Sequence, residues 1–403
     1  MNKYLHRVKE PKKYDYILIV IVGLLVCCSL VAIYSSLKQL QAYQSNIVFT
    51  QFRWVLISLV AVGVILYFGN ESLYDFIEII YKILLVLLII LFIDMVLFKL
   101  TGRHLPGGLI DDINGAISWY NIPGLGSLQP SEFMKIVLVI KTALIINEHN
   151  ENKTENSYEE DIQLFIKIAK LCALPLILIL LQPDTGLVMI IGISIVLMVL
   201  CSGIRKEWFL VFFTAIVIIV LLFLYLYFYQ RNILNIFLQD HQLRRFDGWF
   251  YPEESVLEDG HQLYTSLLAL GSAGLTGVGL QPTTIQLSEA NTDLIFVIFG
   301  QSFGLVGSLF LLCLCFLLDY RIYRIIVLSD NAIEKYMMCG FLGMIVYQQI
   351  QNIGMVVGLL PITGITLPFV SYGGSSLLSY FIALGFILNA SSKAKKLSDY
   401  VYD

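Results

Sequence analysis

The chain has 403 residues, of which 58% are hydrophobic and only 14% charged, with a mean hydropathy of +0.78. A soluble domain carries about 45–50% apolar and about 25% charged residues. This composition therefore excludes a water-solvated fold, and the net charge of −4 excludes the basic footprint that nucleic-acid binding needs.

A helix crosses about 30 Å of hydrocarbon with roughly 20 apolar residues. Lys3, Arg7, Lys9, Lys12 and Lys13 precede an apolar run over 15–36 that lacks a small-residue cleavage site. That run is too long for a signal-peptide core and is expected to remain as the first span. Further runs follow at 53–69, 77–98, 131–147, 164–181, 186–202, 208–229, 292–318, 332–357 and 367–391. The expected fold is an all-α polytopic membrane protein of about ten transmembrane helices, one domain over residues 1–403.

The basic residues set its orientation. Arg205 and Lys206 follow the sixth run, Arg321 and Arg324 the eighth, and Lys393, Lys395 and Lys396 the tenth. With an even number of spans these sites share one side with the N-terminus, and lysine and arginine concentrate on the cytoplasmic side. Both termini are then cytoplasmic. Two large loops, 99–130 and 230–291, and the Pro/Gly-rich 358–370 face outward, while an acidic loop near 148–161 faces inward. The seven cysteines fall in or beside apolar runs, without metal-ligand spacing, and are expected as small buried apolar residues.

Charges at membrane depth cost at least about 2.5–3.5 kcal/mol and need a reason. Glu132 stands three residues before Lys135, so the two pair on one helix face, either as a structural ion pair or as substrate contacts. Asp94 and Lys141 are expected to pair internally or to snorkel. The stretch Ser288-Glu289-Ala290-Asn291-Thr292-Asp293 places two carboxylates where the larger external loop re-enters the membrane. A helix beginning near Ser288 or Asn291 would put Asp293 in its first turn, against the positive end of the helix dipole. Pro361, Gly364, Pro368, Gly373 and Gly374 interrupt any helix there. Irregular backbone at membrane depth belongs beside protein or a water-filled cavity. The residues alone thus describe an external polar cavity bearing carboxylates.

Four separated segments carry a resemblance. Asn114-Gly115-Ala116 with Trp119 leads through Gln129-Pro130-Ser131-Glu132 to Lys135. Gln182-Pro183-Asp184-Thr185-Gly186 is the second segment. Arg245, Gly260-His261-Gln262 and Ser266 lead to Glu289 and Asp293, and Gln351-Asn352 leads through Pro361 to Ser371-Tyr372-Gly373-Gly374. These resemble, in order, the motifs of the shape, elongation, division and sporulation (SEDS) family that contains RodA and FtsW. The ending, Gly385 to Ser391, is more similar to RodA.

The resemblance implies an external-face, inverting glycosyltransferase of the bacterial plasma membrane. Such an enzyme polymerises lipid II, the undecaprenyl-diphosphate-linked disaccharide-peptide, into glycan strands for elongation, beside a class B penicillin-binding protein. It implies Asp293 as the catalytic acid residue, and Trp119, Glu132, Lys135, Arg245, Gln262, Glu289 and Ser371 as substrate-binding residues. One positioned carboxylate suffices to take a proton from an acceptor hydroxyl. A diphosphate leaving group needs charge neutralisation, from Arg244 and Arg245 or from a divalent cation such as Mg2+ or Mn2+. The sequence departs from the family's usual L-P-E-x-x-T-D-F at Ser288, Asn291 and Leu294, and Thr284 stands where a lysine is common. A lipid II flippase, or an inactive scaffold for the penicillin-binding protein, are the competing functions.

Overall fold

A computed structural model describes residues 14–40, 46–104, 110–113, 116–122, 126–153, 155–237, 240–256 and 260–394. The basic N-terminal stretch, Asn114, Gly115, Lys395 and Lys396 lie outside the described residues.

Each expected span is a helix. In chain order they are α1 (Tyr16–Ser36), α2 (Ile47–Phe68), α3 (Asn70–Thr101), α4 (Pro130–Asn152), α5 (Tyr158–Leu181), α6 (Thr185–Cys201) and α7 (Glu207–Tyr229). Three short helices of the larger expected loop follow, α8 (Arg231–Phe237), α9 (Asp240–Phe250) and α10 (His261–Ser272). The last three are α11 (Ile295–Leu328), α12 (Ala332–Val356) and α13 (Gly374–Ser391). Among the described residues, 7 helices are long and apolar enough to cross a membrane by length and composition alone. The other three explain themselves by position. Helix α6 is 17 residues long, whereas α4 and α12 carry buried Glu132, Lys135, Thr142, Gln348, Gln349, Gln351 and Asn352. Helix α13 packs on α2, α1 on α11, and α12 on both α4 and α6. The central helices therefore turn polar groups toward protein, where hydrogen-bond partners exist, and need not match lipid. Helix α7 is the opposite case: only Tyr227 is buried along it.

Two features depart from the expected all-α picture with an unbroken eighth span. The loop before α4 forms a three-stranded antiparallel sheet, β1 (Ile110–Ile113), β2 (Ala116–Ile122) and β3 (Gly126–Leu128), in the order β1-β2-β3. It sits on the outer end of α3 through Ile117 against Leu91 and Met95. The Tyr120 hydroxyl donates to the Leu87 carbonyl at 2.9 Å. Asp94, fully buried on α3, meets His104 Nδ1 at 2.8 Å, and Lys141 pairs with Glu78 of α3. Both intramembrane charges are thus paired internally.

Helix α11 is broken at Gly304 (φ 66°, ψ −160°), and the turn after α10 fills the break. Val278 N–H donates to the Gln301 carbonyl at 2.9 Å and Gly279 N–H to that of Ser302 at 3.1 Å. Leu305 N–H in turn donates to the Gly274 carbonyl at 3.0 Å. A Cβ on Gly277 (φ +79°) would lie 2.3 Å from the Ser302 oxygen, so only glycine permits this approach. The inserted turn satisfies backbone groups that the break would leave bare. Arg321 and Arg324, expected after this span, lie inside the helix, which continues to Leu328. Arg321 pairs with Asp15 ahead of α1 at 2.8 Å.

Candidate active site

Asp293 does not occupy the first turn of a helix. Helix α11 begins only at Ile295, and the preceding residues turn sharply, with Glu289 at φ +52°. The Thr292 and Leu294 N–H groups both donate to the Glu289 carbonyl at 3.2 Å. The proline usual in the family stretch is serine here, and its neighbour Glu289 holds the left-handed backbone.

Three ties fix this turn against the Pro/Gly-rich segment between α12 and α13. Asn352 Nδ2 donates to the carbonyls of both Asp293 (2.8 Å) and Ile365 (2.7 Å). The Ser371 hydroxyl donates to the Thr292 carbonyl at 2.7 Å while accepting from Leu367 N–H at 2.8 Å. Tyr372 N–H donates to the Asn291 carbonyl at 2.9 Å. Gly364, at φ +73°, then runs so close that a Cβ would lie 3.3 Å from Asp293 Oδ2. The carboxylate itself accepts no hydrogen bond from the described residues. It faces a cavity of about 420 Å3 lined by Arg245, Trp249, His261, Gln262 and Ser288.

Arg245 reaches that cavity from α9, an amphipathic helix of 11 residues. Aromatic side chains of α7 and α9 (Phe223, Tyr227, Phe246, Phe250) make a small separate core with Leu234 of α8 and Leu243 of α9. Asp247 on α9 is paired with Arg231 and accepts from the Tyr227 hydroxyl at 2.5 Å. Trp249 Nε1 donates to the Gly358 carbonyl at 2.9 Å, fastening α9 to the end of α12. Arg245 is thus an exposed guanidinium on a tethered arm.

A second cavity, about 310 Å3, shares Arg245 and Gly364 with the first. Trp119 from β2, Glu132 from α4 and Asp184 ahead of α6 line it, with Gln129, Gln182 and Gln348. Pro130 opens α4, a position that needs no N–H donor. Glu132 follows in the first turn, where the dipole favours a carboxylate. Lys135 lies one turn deeper and is 1% exposed; it pairs with Glu132 and stands 4.3 Å over the Tyr380 ring. Asp184 Oδ1 caps α6 by accepting from Leu187 N–H at 3.0 Å, and Oδ2 accepts from Gln129 Nε2 at 2.8 Å.

Burial raises a carboxylate in each cavity. Burial, reinforced by Glu289 and opposed by Arg245, pushes the Asp293 carboxyl up to about 7. Burial also pushes Asp184 up to about 6 against its two hydrogen bonds. A carboxylate near neutrality beside a cation and a cavity is a group suited to taking a proton.

Of the expected site residues, the structure gathers Asp293, Arg245, Gln262, Trp119 and Glu132 along two joined cavities. Lys135 stands behind Glu132 and lines neither. Glu289 is exposed and accepts from the Thr292 hydroxyl at 3.0 Å, acting on Asp293 through charge. Ser371 is 7% exposed with its hydroxyl fully engaged, and serves to hold the Asp293 turn. Asp184, Gln348, His261 and Trp249 were not singled out from the sequence. Asp184 and His261 stood in quoted motifs, whereas nothing in the local sequence marks Gln348 or Trp249. Among the described residues no three His, Cys, Asp or Glu side chains converge as a metal site. A Mg2+ ion held by one carboxylate and substrate phosphates would find Asp293 as its protein ligand in this cavity.

Fold and site together define a polytopic membrane protein with a polar, carboxylate-bearing chamber. The family model described as "Cell cycle protein", covering FtsW, RodA and SpoVE, matches residues 13–396, and the chain belongs to that family. It is 30% identical over 372 residues to the probable peptidoglycan glycosyltransferase FtsW of Lactococcus lactis, covering 89% of this chain and 86% of the relative. It is 32% identical over 281 residues to the stage V sporulation protein E of Bacillus subtilis, covering 69% of this chain and 72% of that one. Rod shape determining protein RodA of Thermus thermophilus has the same fold, with TM-score 0.61 at 22% identity, over 95% of this chain and 98% of RodA. A chain from a structure described as "Structural coordination of polymerization and crosslinking by a peptidoglycan synthase complex" superposes with TM-score 0.72 at 23% identity. That match covers 97% of this chain and 99% of the other.

Proposed function

We infer that this protein is a peptidoglycan glycosyltransferase that polymerises lipid II at the outer face of the bacterial plasma membrane, with Asp293 as general base. The observation that carries the assignment is the Asp293 carboxylate, held by its backbone on both sides, raised toward neutrality by burial and left open to a cavity it shares with Arg245. Asp293 takes the proton of the acceptor sugar hydroxyl as its oxygen attacks the anomeric carbon of the donor. The bond from that carbon to the diphosphate breaks, and the polyprenyl diphosphate leaves with the electron pair. Attack opposite the leaving group inverts the anomeric centre. Arg245, exposed at the edge of the cavity, meets the charge that develops on the diphosphate. A bound Mg2+ or Mn2+ would supply the same neutralisation, and chelation with refilling tests it by restoring or not restoring the rate.

Glycan ladders from purified lipid II test the assignment. Asp293→Asn is expected to lower the rate by about 10²–10⁴-fold, the usual worth of a positioned base, with the protein still folded. Full-rate polymerisation by that variant would remove Asp293 from the chemistry. A well-folded wild type that makes no glycan, with a class B penicillin-binding protein present, would turn the reading to the flippase or the scaffold. The RodA-like ending carries the assignment to elongation. Depletion is expected to round the cells, and filaments would instead indicate division.

A further inference from the structure

The cavity under Trp119 holds an amide that the chemistry at Asp293 does not use. Gln348, on α12, is 2% exposed and lines this cavity. Its Nε2 lies 2.6 Å from the Tyr380 hydroxyl in the protein interior, while its Oε1 has no hydrogen-bond partner among the described residues. The neighbouring amides are spoken for: Gln129 donates to Asp184 and Gln182 to the Leu88 carbonyl at 3.1 Å. Burial of an unpartnered polar atom is costly unless a ligand or water completes it. Either orientation of the Gln348 amide leaves one polar atom over, an acceptor or a donor, and a sugar hydroxyl answers both.

The charges say which part of a lipid-linked sugar fits. Glu132 and Asp184 both line the cavity, and among the described residues its one lining cation, Arg245, also lines the Asp293 cavity. Lys135 neutralises Glu132 from behind without reaching the cavity. A diphosphate entering here would meet the Asp184 carboxylate and a Glu132 whose charge Lys135 already answers, and among the described residues the lining offers it no cation beyond Arg245. Hydroxyl and amide groups would instead find carboxylate and amide acceptors, and the half-buried Trp119 offers an aromatic face to a sugar ring.

We propose that the cavity beneath Trp119 is the saccharide subsite, and that Gln348 recognises the hydroxyl or amide groups of a lipid-linked sugar while Arg245 keeps the diphosphate at the junction of the two cavities. The proposal rests on the glycosyltransferase reading for its substrate class, but binding tests it without turnover. In the Asp293→Asn background, affinities are measured for two probes, lipid II and undecaprenyl diphosphate, which lacks the sugar. Gln348→Met removes the amide at similar volume and is expected to weaken lipid II binding by about three- to tenfold, the worth of one neutral hydrogen bond. Binding of undecaprenyl diphosphate stays unchanged, whereas Arg245→Ala weakens both probes. Tyr380→Phe cuts the inner tie and leaves the amide, so it is expected to hold both affinities within about twofold.

Unchanged lipid II affinity in Gln348→Met, equal weakening of both probes, or the same loss in Tyr380→Phe would overturn the proposal. Should Gln348→Met fail to fold, Gln348→Asn withdraws the amide by one methylene and is read in the same way. A protein that discriminates the two probes through Gln348 yet forms no glycan would keep this subsite and sink the polymerase reading. One that polymerises with Gln348→Met affinity unchanged would do the reverse.

Discussion

Glu132 and Asp293, in the cavities on either side of Gly364, are held on opposite terms. Under Trp119, Glu132 has a lysine within contact, a helix N-terminus and the Ser379 hydroxyl donating at 3.3 Å. On the other side, Asp293 has an arginine lining the same cavity and an exposed glutamate nearby, with no donor on its oxygens among the described residues. A buried charge with its partner in place is settled and resists change. One held only by its backbone keeps a proton affinity near neutrality and remains available to a substrate. The protein thus spends hydrogen bonds on the peptide groups flanking Asp293 and leaves the side chain unsatisfied.

The largest expected effect breaks the settled side. Lys135→Met leaves Glu132 uncompensated in the bundle, and removal of one partner from a buried pair costs about 3–5 kcal/mol. Thermal unfolding in detergent should show a markedly lower midpoint, with most of it recovered on adding Glu132→Gln. An unchanged midpoint would mean the pair is not what holds α4.

A smaller effect touches the position of the open carboxylate. Gly364→Ala places a methyl 3.3 Å from Asp293 Oδ2 at a backbone angle of φ +73°, where a side chain costs about 1–2 kcal/mol. The turnover rate is expected to fall about tenfold with KM little altered; a KM effect alone would show that Gly364 contacts substrate without setting Asp293.

The gentlest test is pH. The folded-state value for Asp293 of about 7 lies above the unfolded value of about 3.9, so the folded protein binds the extra proton between them. That contribution to stability is full at low pH and is lost as pH rises through about 7. Wild type should therefore lose stability from pH 5 to 8 relative to Asp293→Asn. Polymerisation must move the other way, rising through about 7 as the base ionises. A flat rate profile over that range would separate Asp293 from the proton transfer.

Much of the membrane architecture was legible because apolar length is local. Runs of 17 or more residues in α5, α6 and α7 announce themselves without reference to any neighbour. The Glu132–Lys135 pair was legible for the same reason, being one helical turn apart. The break at Gly304 was not, since its cause is a turn some 27 residues earlier, at Gly277, that inserts there. The start of α11 was misplaced in the same way. Polar residues at 288–291 offered caps for a helix starting there, but Asn352 and Ser371, from segments far along the chain, hold the Asp293 and Thr292 carbonyls and fix a turn instead.

The sequence by itself determined that lipid surrounds this chain and which family motifs it carries, because hydropathy and motif spacing are properties of short segments. Only the tertiary structure decided that Trp119, Asp184, Arg245, Gln348 and Asp293 border two joined cavities. Those side chains come from β2, the turn before α6, α9, α12 and the turn before α11. Packing of helices distant in sequence sets their distances, and with them the burial that raises the Asp293 carboxyl toward neutrality.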